Sequence, residues 1–523
     1  MGSSLCMSVE RYRECRLRCR SRHSEQNQVG QNETNLVQDS ADVNNACAAT
    51  DSDIGRDLNS LDDDAPTMVR WAQRNRYYYA ELARLFRLHV STNARVLHVG
   101  CGLGDLLASV QPSFGVGIDT RPAILDAARK RHPSGNIQFR LLNPESFAIN
   151  EQFDFVLIDH ALADMQDIQA SLECIRRVCA PGTRVVLSYY NALWGPLLRL
   201  ASRIGLRRPA GEQNWLSSHD FDNLLRLAGF EVVSHSTHTL LPKRVWGLNA
   251  LFNRLLAKVW PFTHLCLTQL FVARPVMPPQ NADRLTCSVV IPTRNERGNI
   301  ADAVRRVPRI GSHTEIIFID GNSTDGTADE IRRVTAANPD KDIKLLLQGN
   351  GKGKGDAVRK AFAAASGDVL MILDADLTVP PEDLPRFFKP IADGTAEFIN
   401  GTRLVYPMED QAMRFLNKAG NRFFSILFTW LLGQRFRDTL CGTKALTRQN
   451  YQIIAANRHY FGDFDPFGDF DLIFGAAKAN FKIIEVPVRY RARTYGETNI
   501  HRFRHGWLLL KMSWVAFKRL KMR

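Results

Sequence analysis

Short apolar runs separated by helical stretches recur on both sides of one proline-rich break, and this repeated alternation constrains the fold more than any single motif. Before the break the runs fall at 95–99, 115–118, 153–158 and 184–188; after it they fall at 288–291, 315–319 and 369–373. Strand-length runs alternating with helices describe βα units wound into mainly parallel sheets. The break, at 275–286, carries Pro-Val-Met-Pro-Pro-Gln-Asn-Ala-Asp-Arg before the β-type pattern restarts. A chain of 523 residues also exceeds what one core usually organises. The expectation is an α/β protein of two domains, 67–276 and 287–523, joined by a linker at 277–286. Residues 1–66, dominated by Asn, Gln, Ser, Asp and Arg without a sustained hydrophobic period, are expected to form a disordered leader.

Charge adds a constraint on partners. The net charge is +14, and from Arg489 onward ten basic residues stand against one acid, Glu497. That balance points to a phosphate-rich partner, which an anionic membrane surface or a nucleic acid would satisfy equally. The ten cysteines show no C-x-x-C spacing, which argues for a reducing compartment and against a zinc site. The arginine-rich residues 1–23 lack the apolar core of a secretory signal, and Cys6 stands where a myristoylation pattern needs Ser or Thr. No apolar run reaches the ~18 residues of a membrane-spanning helix.

In the first domain, Val96-Leu97-His98-Val99 runs into Gly100-Cys101-Gly102-Leu103-Gly104-Asp105. Glycines there let the backbone turn tightly and approach a ligand at a helix start. The G-x-G-x-G spacing differs from the dinucleotide pattern G-x-G-x-x-G. The next strand ends at Asp119, where a carboxylate can accept both hydroxyls of a ribose. His160 and His219 are candidate bases, or ordinary polar residues.

In the second domain, Ser288-Val289-Val290-Ile291-Pro292 leads into Thr293-Arg294-Asn295-Glu296, and Ile316-Ile317-Phe318-Ile319 ends in Asp320 before a Gly/Asn/Ser/Thr/Asp loop. This suits a pocket for a nucleobase and ribose, although helix capping explains Ser323 and Asp325 equally well. The loop Gly349 to Gly355, with Lys354, could cradle phosphate but fails the P-loop pattern. The decisive element is Val369-Leu370-Met371-Ile372-Leu373-Asp374-Ala375-Asp376. A buried strand ending in two carboxylates one residue apart sets both at the sheet's carboxyl edge. A divalent cation, Mg2+ or Mn2+, bridging them to a diphosphate would relieve their repulsion and neutralise the leaving group.

Over roughly 68–275 the chain resembles the class I S-adenosylmethionine-dependent methyltransferases: the glycine loop, Asp119, the strand at 153–158 and Arg176-Arg177-Val178-Cys179-Ala180-Pro181-Gly182 carry the resemblance. It implies a Rossmann-like fold in which Gly100, Gly102 and Gly104 pass the methionine part of S-adenosylmethionine, Asp119 holds the ribose and Asn143 lies beside the adenine. His98 stands where the family usually carries an acid. From Cys287 onward the chain resembles the family-2 glycosyltransferases of nucleotide-diphosphosugar transferase (GT-A) fold, and most of all the polyprenyl-phosphate sugar synthases of the dolichol-phosphate mannose synthase type. The supporting stretches are 290–296, Asp320 with its loop, 353–355, 374–376, 401–403, 438–444 and 495–500. That resemblance implies a GDP- or UDP-sugar donor, with Pro292, Asn295, Glu296 and Asp320 lining the nucleotide, Lys354 on the donor side and Arg403 near the acceptor phosphate. Thr378 departs from relatives that place a glutamine beside the metal.

Basic and aromatic residues interleave at 413–436 and 507–517, with similar amphipathic patches at 193–208 and 245–260. They suit an interfacial position, or core helices with charged outer faces. The expectation is a bifunctional enzyme peripheral to the cytoplasmic face of a membrane. Its second half would use a polyprenyl-phosphate acceptor, and no nucleic acid. A phosphate acceptor needs little base catalysis. A hydroxyl acceptor would require Asp469 or Asp471 as base, unless these are structural. The alternatives are a hydroxyl-directed glycosyltransferase carrying an inactive cofactor-binding domain, and a nonenzymatic membrane scaffold.

Overall fold

The computed structural model describes residues 65–523 apart from 209–212, 246, 280, 352, 404, 406–414, 459–467, 492, 494, 496–501 and 523; the side chains of 250, 415–419, 469, 502–506, 521 and 522 are also outside the description. Most of the expected leader, most of the 495–500 stretch and the Asp469 side chain therefore lie outside the described residues.

Two seven-stranded sheets, within one compact unit, account for the alternating pattern. The first is built from β1 (Arg95–Val99), β2 (Phe114–Asp119), β3 (Ile137–Leu141), β4 (Phe153–Asp159), β5 (Cys179–Tyr190), β6 (Phe230–His238) and β7 (Thr268–Pro275), in the order β3-β2-β1-β4-β5-β7-β6. β7 runs antiparallel to both its neighbours, and the other pairings are parallel. The second sheet holds β8 (Thr286–Thr293), β9 (His313–Asp320), β10 (Asp342–Leu347), β11 (Val369–Ile372), β12 (Phe398–Thr402), β13 (Lys444–Thr447) and β14 (Ile483–Pro487). Its order is β10-β9-β8-β11-β13-β12-β14, with β13 antiparallel to β11 and β12.

Burial explains why the central strands read as continuous apolar runs rather than alternating ones. Helices cover both faces, so every side chain of such a strand enters a core. In β1, Leu97 and Val99 join one hydrophobic cluster while Val96 joins the opposite one. In β8, Val290 enters one cluster and Val289 and Ile291 the other. Local chemistry sets the helix starts. Ser217 and Asp220 form a reciprocal capping box ahead of the helix Ser218–Leu227, with amide-to-side-chain distances of 2.9 and 3.3 Å.

The sheets meet across a buried polar seam. Glu397 receives Arg184 Nη2 at 2.6 Å and faces Arg274 Nη1 at 3.3 Å. Both arginines are at most 2% exposed. Arg184 Nε also donates to the Asn480 carbonyl at 2.8 Å, and the Asn480 side chain meets His89 Nδ1 at 2.8 Å. Such pairs contribute little net stability, but removing one partner leaves a buried charge uncompensated.

Candidate functional site

Three strands of the second sheet deliver polar groups to one edge. β8 and β9 are parallel and place Thr293 opposite Asp320, while β11 runs beside β8 and continues into Asp374. Asp320 is buried; its Oδ2 accepts the Ser323 amide at 3.1 Å, while its Oδ1 has no hydrogen-bond partner. A buried acceptor left open is costly and calls for a donor. Asn295 holds the neighbouring loop: its amide donates to Ser323 Oγ at 2.9 Å, and its Oδ1 accepts the Thr324 amide at 2.9 Å. Glu296 accepts Asn299 Nδ2 at 2.7 Å, and burial raises its carboxyl against the pull of Arg493. Pro292 is half-buried, one residue before the end of β8.

Asp374 and Asp376 stand just past β11, across a tight turn in which Leu377 adopts φ +51°. Each is met by a cation. Lys354 Nζ lies 2.6 Å from Asp374 Oδ1, and Arg493 Nη2 lies 2.7 Å from Asp376 Oδ2. Burial works to raise the Asp374 carboxyl, but the Lys354 ammonium, helped by Lys444 and Arg403, outweighs it and holds the carboxyl below its ordinary value. Thr378, in place of the glutamine of some relatives, fixes Asp376: its amide and hydroxyl reach Oδ1 at 3.2 and 2.9 Å. Gly442 packs so closely here that a β-carbon on it would overlap the Asp374 carboxylate and the Lys354 ammonium.

Arg493 also faces Glu296 at 3.5 Å, so one guanidinium ties the two strand ends together. Sequence reasoning counted Arg493 only as part of a basic tail. Arg403, expected near the acceptor phosphate, is engaged by a neighbouring acid. Its Nε and Nη2 form a fork on the buried Asp438 at 2.6 and 2.8 Å, and its guanidinium lies 5.1 Å from the Tyr490 ring centre. Burial alone would raise Asp438, but Arg403 overrides it and holds the carboxyl at about 2. Asp471 likewise pairs with Arg458, at 2.8 Å. Its helix, Asp469–Lys478, starts at Gly468, which packs against Gly355 beside Lys354.

Among the described residues no group of three or more His, Cys, Asp or Glu converges to enclose a metal. Two hard carboxylate donors, with the remaining positions left to a diphosphate and water, nevertheless suit Mg2+ or Mn2+.

The first sheet presents its own edge. Gly100, Gly102 and Gly104 all have positive φ, and the Gly102 amide donates to Asp119 Oδ2 at 3.0 Å. A β-carbon on Gly102 would press on Met68 Cε at 2.9 Å, so the helix Ala65–Arg74 lies over the loop. Asp119 is buried and gripped by Arg121, whose Nε and Nη2 lie 2.9 Å from its two oxygens. Burial works to raise Asp119, but Arg121 prevails and lowers it. Asn143 is exposed after β3 and accepts the Glu145 amide at 2.9 Å. His98 is 2% exposed, neither ring nitrogen has a partner, and burial pushes its pKa down to about 4. A glycine cradle, an open imidazole and a carboxylate at the next strand end fit S-adenosylmethionine. His219 is exposed on the surface of its helix.

Fold and sites together define a two-part α/β transferase, with a Rossmann-like methyltransferase fold followed by a GT-A fold. The family model for glycosyl transferase family 2 matches residues 288–457, and a methyltransferase domain model matches 70–235. The glycosyltransferase AglJ of Haloferax volcanii is 31% identical over 222 residues, covering 42% of this chain and 68% of that protein. The dolichyl-phosphate hexose transferase of the same organism is 32% identical over 146 residues, covering 28% of this chain and 60% of that protein. The chain thus spans less than two thirds of the second relative's length. Among solved structures, the N-methyltransferase NodS of Bradyrhizobium japonicum, in complex with S-adenosyl-L-homocysteine, is 14% identical, with 41% of this chain and all of that chain covered at a TM-score of 0.30. The chain belongs to glycosyl transferase family 2, with a methyltransferase domain ahead of the glycosyltransferase domain.

Proposed function

We propose that the second half transfers a sugar from a GDP- or UDP-sugar to a polyprenyl-phosphate acceptor at a membrane surface, with inversion, and that the first half is an S-adenosylmethionine-dependent methyltransferase. The observation that carries the sugar-transfer reading is the Asp374 and Asp376 pair on the same sheet edge as the open Oδ1 of Asp320. Asp320 would accept a donor from the nucleoside, on a loop held by Asn295 and Glu296. Asp374 and Asp376 would hold a divalent cation, which supplies charge neutralisation to the departing diphosphate. Lys354 and Arg493 hold the two carboxylates in place, and each can turn toward donor phosphate when a cation takes over its carboxylate. The acceptor phosphate is ionised at neutral pH, so positioning dominates over base catalysis. Arg403, committed to Asp438, would shape the acceptor side by anchoring the Asp438–Lys444 loop against Asp374.

Membrane contact is supported by apolar residues left in water. Phe423 and Ile426 on the helix Phe415–Leu432 are 55 and 64% exposed, and Trp507 and Trp514 on the helix Arg502–Phe517 are 73 and 54% exposed. Trp430 and Phe517 stack between these helices, with ring centres 5.5 Å apart. Among the described residues no helix is long and apolar enough to cross a membrane, and an interfacial seat suits such faces better. The test is sugar transfer from radiolabelled GDP- and UDP-sugars to polyprenyl phosphate in vesicles, with Mg2+ or Mn2+ and with chelator. Label should enter the lipid phase only with metal. Transfer confined to soluble hydroxyl acceptors would overturn the reading.

A further inference from the structure

The methyltransferase half carries a polar cluster that the cofactor cradle does not use. β4 and β5 run in parallel and pair Asp159 with Ser188, and the residues just beyond them converge. His160 adopts φ +54°, a left-handed conformation that residues with a β-carbon seldom take and that often marks a functional constraint. Its ring lies 3.9 Å from that of Tyr190 and within 3° of parallel. Nε2 is 2.6 Å from the Tyr78 hydroxyl, which is 3.1 Å from Thr268 Oγ1. Nδ1 is buried without a partner. Asp159 Oδ1 accepts the Ser188 hydroxyl at 3.1 Å and stands 3.6 Å from His160 Nε2. The cluster abuts the cradle, because a β-carbon on Gly100 would run into Ala161 Cβ.

A second observation says what kind of molecule reaches this cluster. The helix Gly195–Arg203 begins five residues after Tyr190 and buries Gly195 and Leu198. Its opposite side exposes Leu193, Leu197, Leu200 and Ile204 at 65, 56, 53 and 60%. Their spacing draws an apolar stripe on the side that faces water, where a helix packed on a globular core would be polar. Arg199 and Arg203 stand exposed beside the stripe, and the Arg207 guanidinium lies 5.0 Å from the Tyr190 ring centre. Trp194 Nε1 donates to the Leu265 carbonyl at 2.9 Å, which joins the stripe to a segment exposing Leu265 and Trp260 at 54 and 76%. An apolar stripe flanked by arginines matches an anionic lipid surface.

We propose that this cluster is the methyl-acceptor site, that the acceptor is a hydroxyl on a lipid-borne molecule presented along the Gly195–Arg203 helix, and that His160 is its base. The proposal rests on the methyltransferase reading of this half. The acceptor oxygen bonds to the methyl carbon while the bond from that carbon to the sulfonium sulfur of S-adenosylmethionine breaks, its electron pair staying on sulfur. The hydroxyl proton passes to Nδ1. With Nε2–H donating to Tyr78, and the Tyr78 hydroxyl donating to Thr268, Nδ1 keeps its lone pair for this step. Burial, with a smaller contribution from Arg207, pushes the His160 pKa down to about 3, so the resting ring is neutral with a lone pair open at Nδ1, and a ring this weakly basic needs a neighbouring anion to take up a proton. Asp159, whose carboxyl burial raises to about 7, lies where its negative form would offset the imidazolium.

The test uses the full chain, methyl-tritiated S-adenosylmethionine, and vesicles of phosphatidylcholine with phosphatidylglycerol, with and without chemically prepared hexosyl polyprenyl phosphates; soluble hexose 1-phosphates form the parallel arm. Label is expected in the lipid phase. Its location, on the hexosyl lipid or on the phospholipid, tells which lipid hydroxyl is used. His160→Gln should lower the rate on the order of 100-fold, and Tyr78→Phe about 10-fold, while calorimetric binding of S-adenosylhomocysteine stays within about 2-fold for both. Leu197→Glu with Leu200→Glu should cut vesicle co-sedimentation of the S-adenosylhomocysteine-loaded protein about 10-fold. Label only in soluble hexose phosphate, or no label in any arm with cofactor binding intact, would overturn the lipid acceptor. Full activity of His160→Gln would overturn the base. Because the lipid-linked hexoses are supplied ready-made, failure of the sugar-transfer reading leaves this experiment intact. No heat of cofactor binding would sink the methyltransferase reading and this proposal together.

Discussion

The two sheet edges solve opposite electrostatic problems. At the second, both acids past β11 are already matched by cations, Asp374 by Lys354 and Asp376 by Arg493. At the first, the imidazoles of His98 and His160 are buried, with both ring nitrogens of His98 and Nδ1 of His160 unpartnered. A pre-neutralised site suits exchange of one cation for another, as the proposed binding of a metal with a diphosphate requires. A desolvated site of neutral rings is built to receive a group that brings its own hydrogen bonds. Charge compensation therefore distinguishes the acids past β11, and unpartnered ring nitrogens distinguish the two histidines, although Asp320 Oδ1 on the second edge is also open and Asp119 on the first is also met by Arg121.

Breaking the charge balance should have the largest effect. Asp374→Asn or Asp376→Asn is expected to lower sugar transfer by about 1,000-fold, in the range seen when a key electrostatic group is removed, with S-adenosylhomocysteine binding unchanged; initial rates and calorimetry check both parts. Arg403→Ala should leave Asp438 buried and unpaired and cost about 3–5 kcal/mol of stability. Denaturant unfolding measures it, and an unchanged midpoint with a raised acceptor KM would instead return Arg403 to the acceptor phosphate. Gly442→Ala forces Asp374 and Lys354 apart, and a loss of about 100-fold in kcat with the fold intact is expected. Each of these should leave the first edge untouched.

The desolvated edge is sharpened by pH. His98 has a folded pKa of about 4, below the ordinary histidine value near 6.5. The unfolded chain therefore binds more protons between those values, and stability is full above about pH 6.5 and falls as pH drops toward 4. Burial acts on His160 in the same direction. His98→Gln should make unfolding free energy less steep in pH across that window, and an unchanged slope would place the histidine in contact with solvent. The smallest effect is expected from Arg121→Ala. Freeing Asp119 from the guanidinium, while backbone amides still hold both of its oxygens, should tighten S-adenosylhomocysteine binding by about a few-fold.

Much of this arrangement was legible because strand ends are legible. Buried parallel strands leave continuous apolar runs, and Asp119, Asp320 and Asp374 follow such runs directly. What the pattern does not encode is long-range pairing. The antiparallel insertions of β7 and β13 depend on which strand meets which across the sheet. Arg493 reads as one more cation in a basic tail, yet it reaches back 117 residues to Asp376. Arg403 pairs with an acid from the 438–444 stretch that sequence reasoning had already singled out, but nothing local shows that the two meet. The left-handed backbone of His160 and the close approach of Ala161 to Gly100 are likewise features that no residue type announces.

The central claim, that Asp374 and Asp376 hold a divalent cation together with a nucleoside diphosphate, is tested most directly by electron paramagnetic resonance of Mn2+ titrated into the protein with GDP or UDP. Nucleotide-dependent Mn2+ binding that is lost in the Asp374→Asn and Asp376→Asn variants is the predicted result. Mn2+ binding that neither variant weakens, or no nucleotide-dependent Mn2+ binding in the wild-type chain, would contradict it.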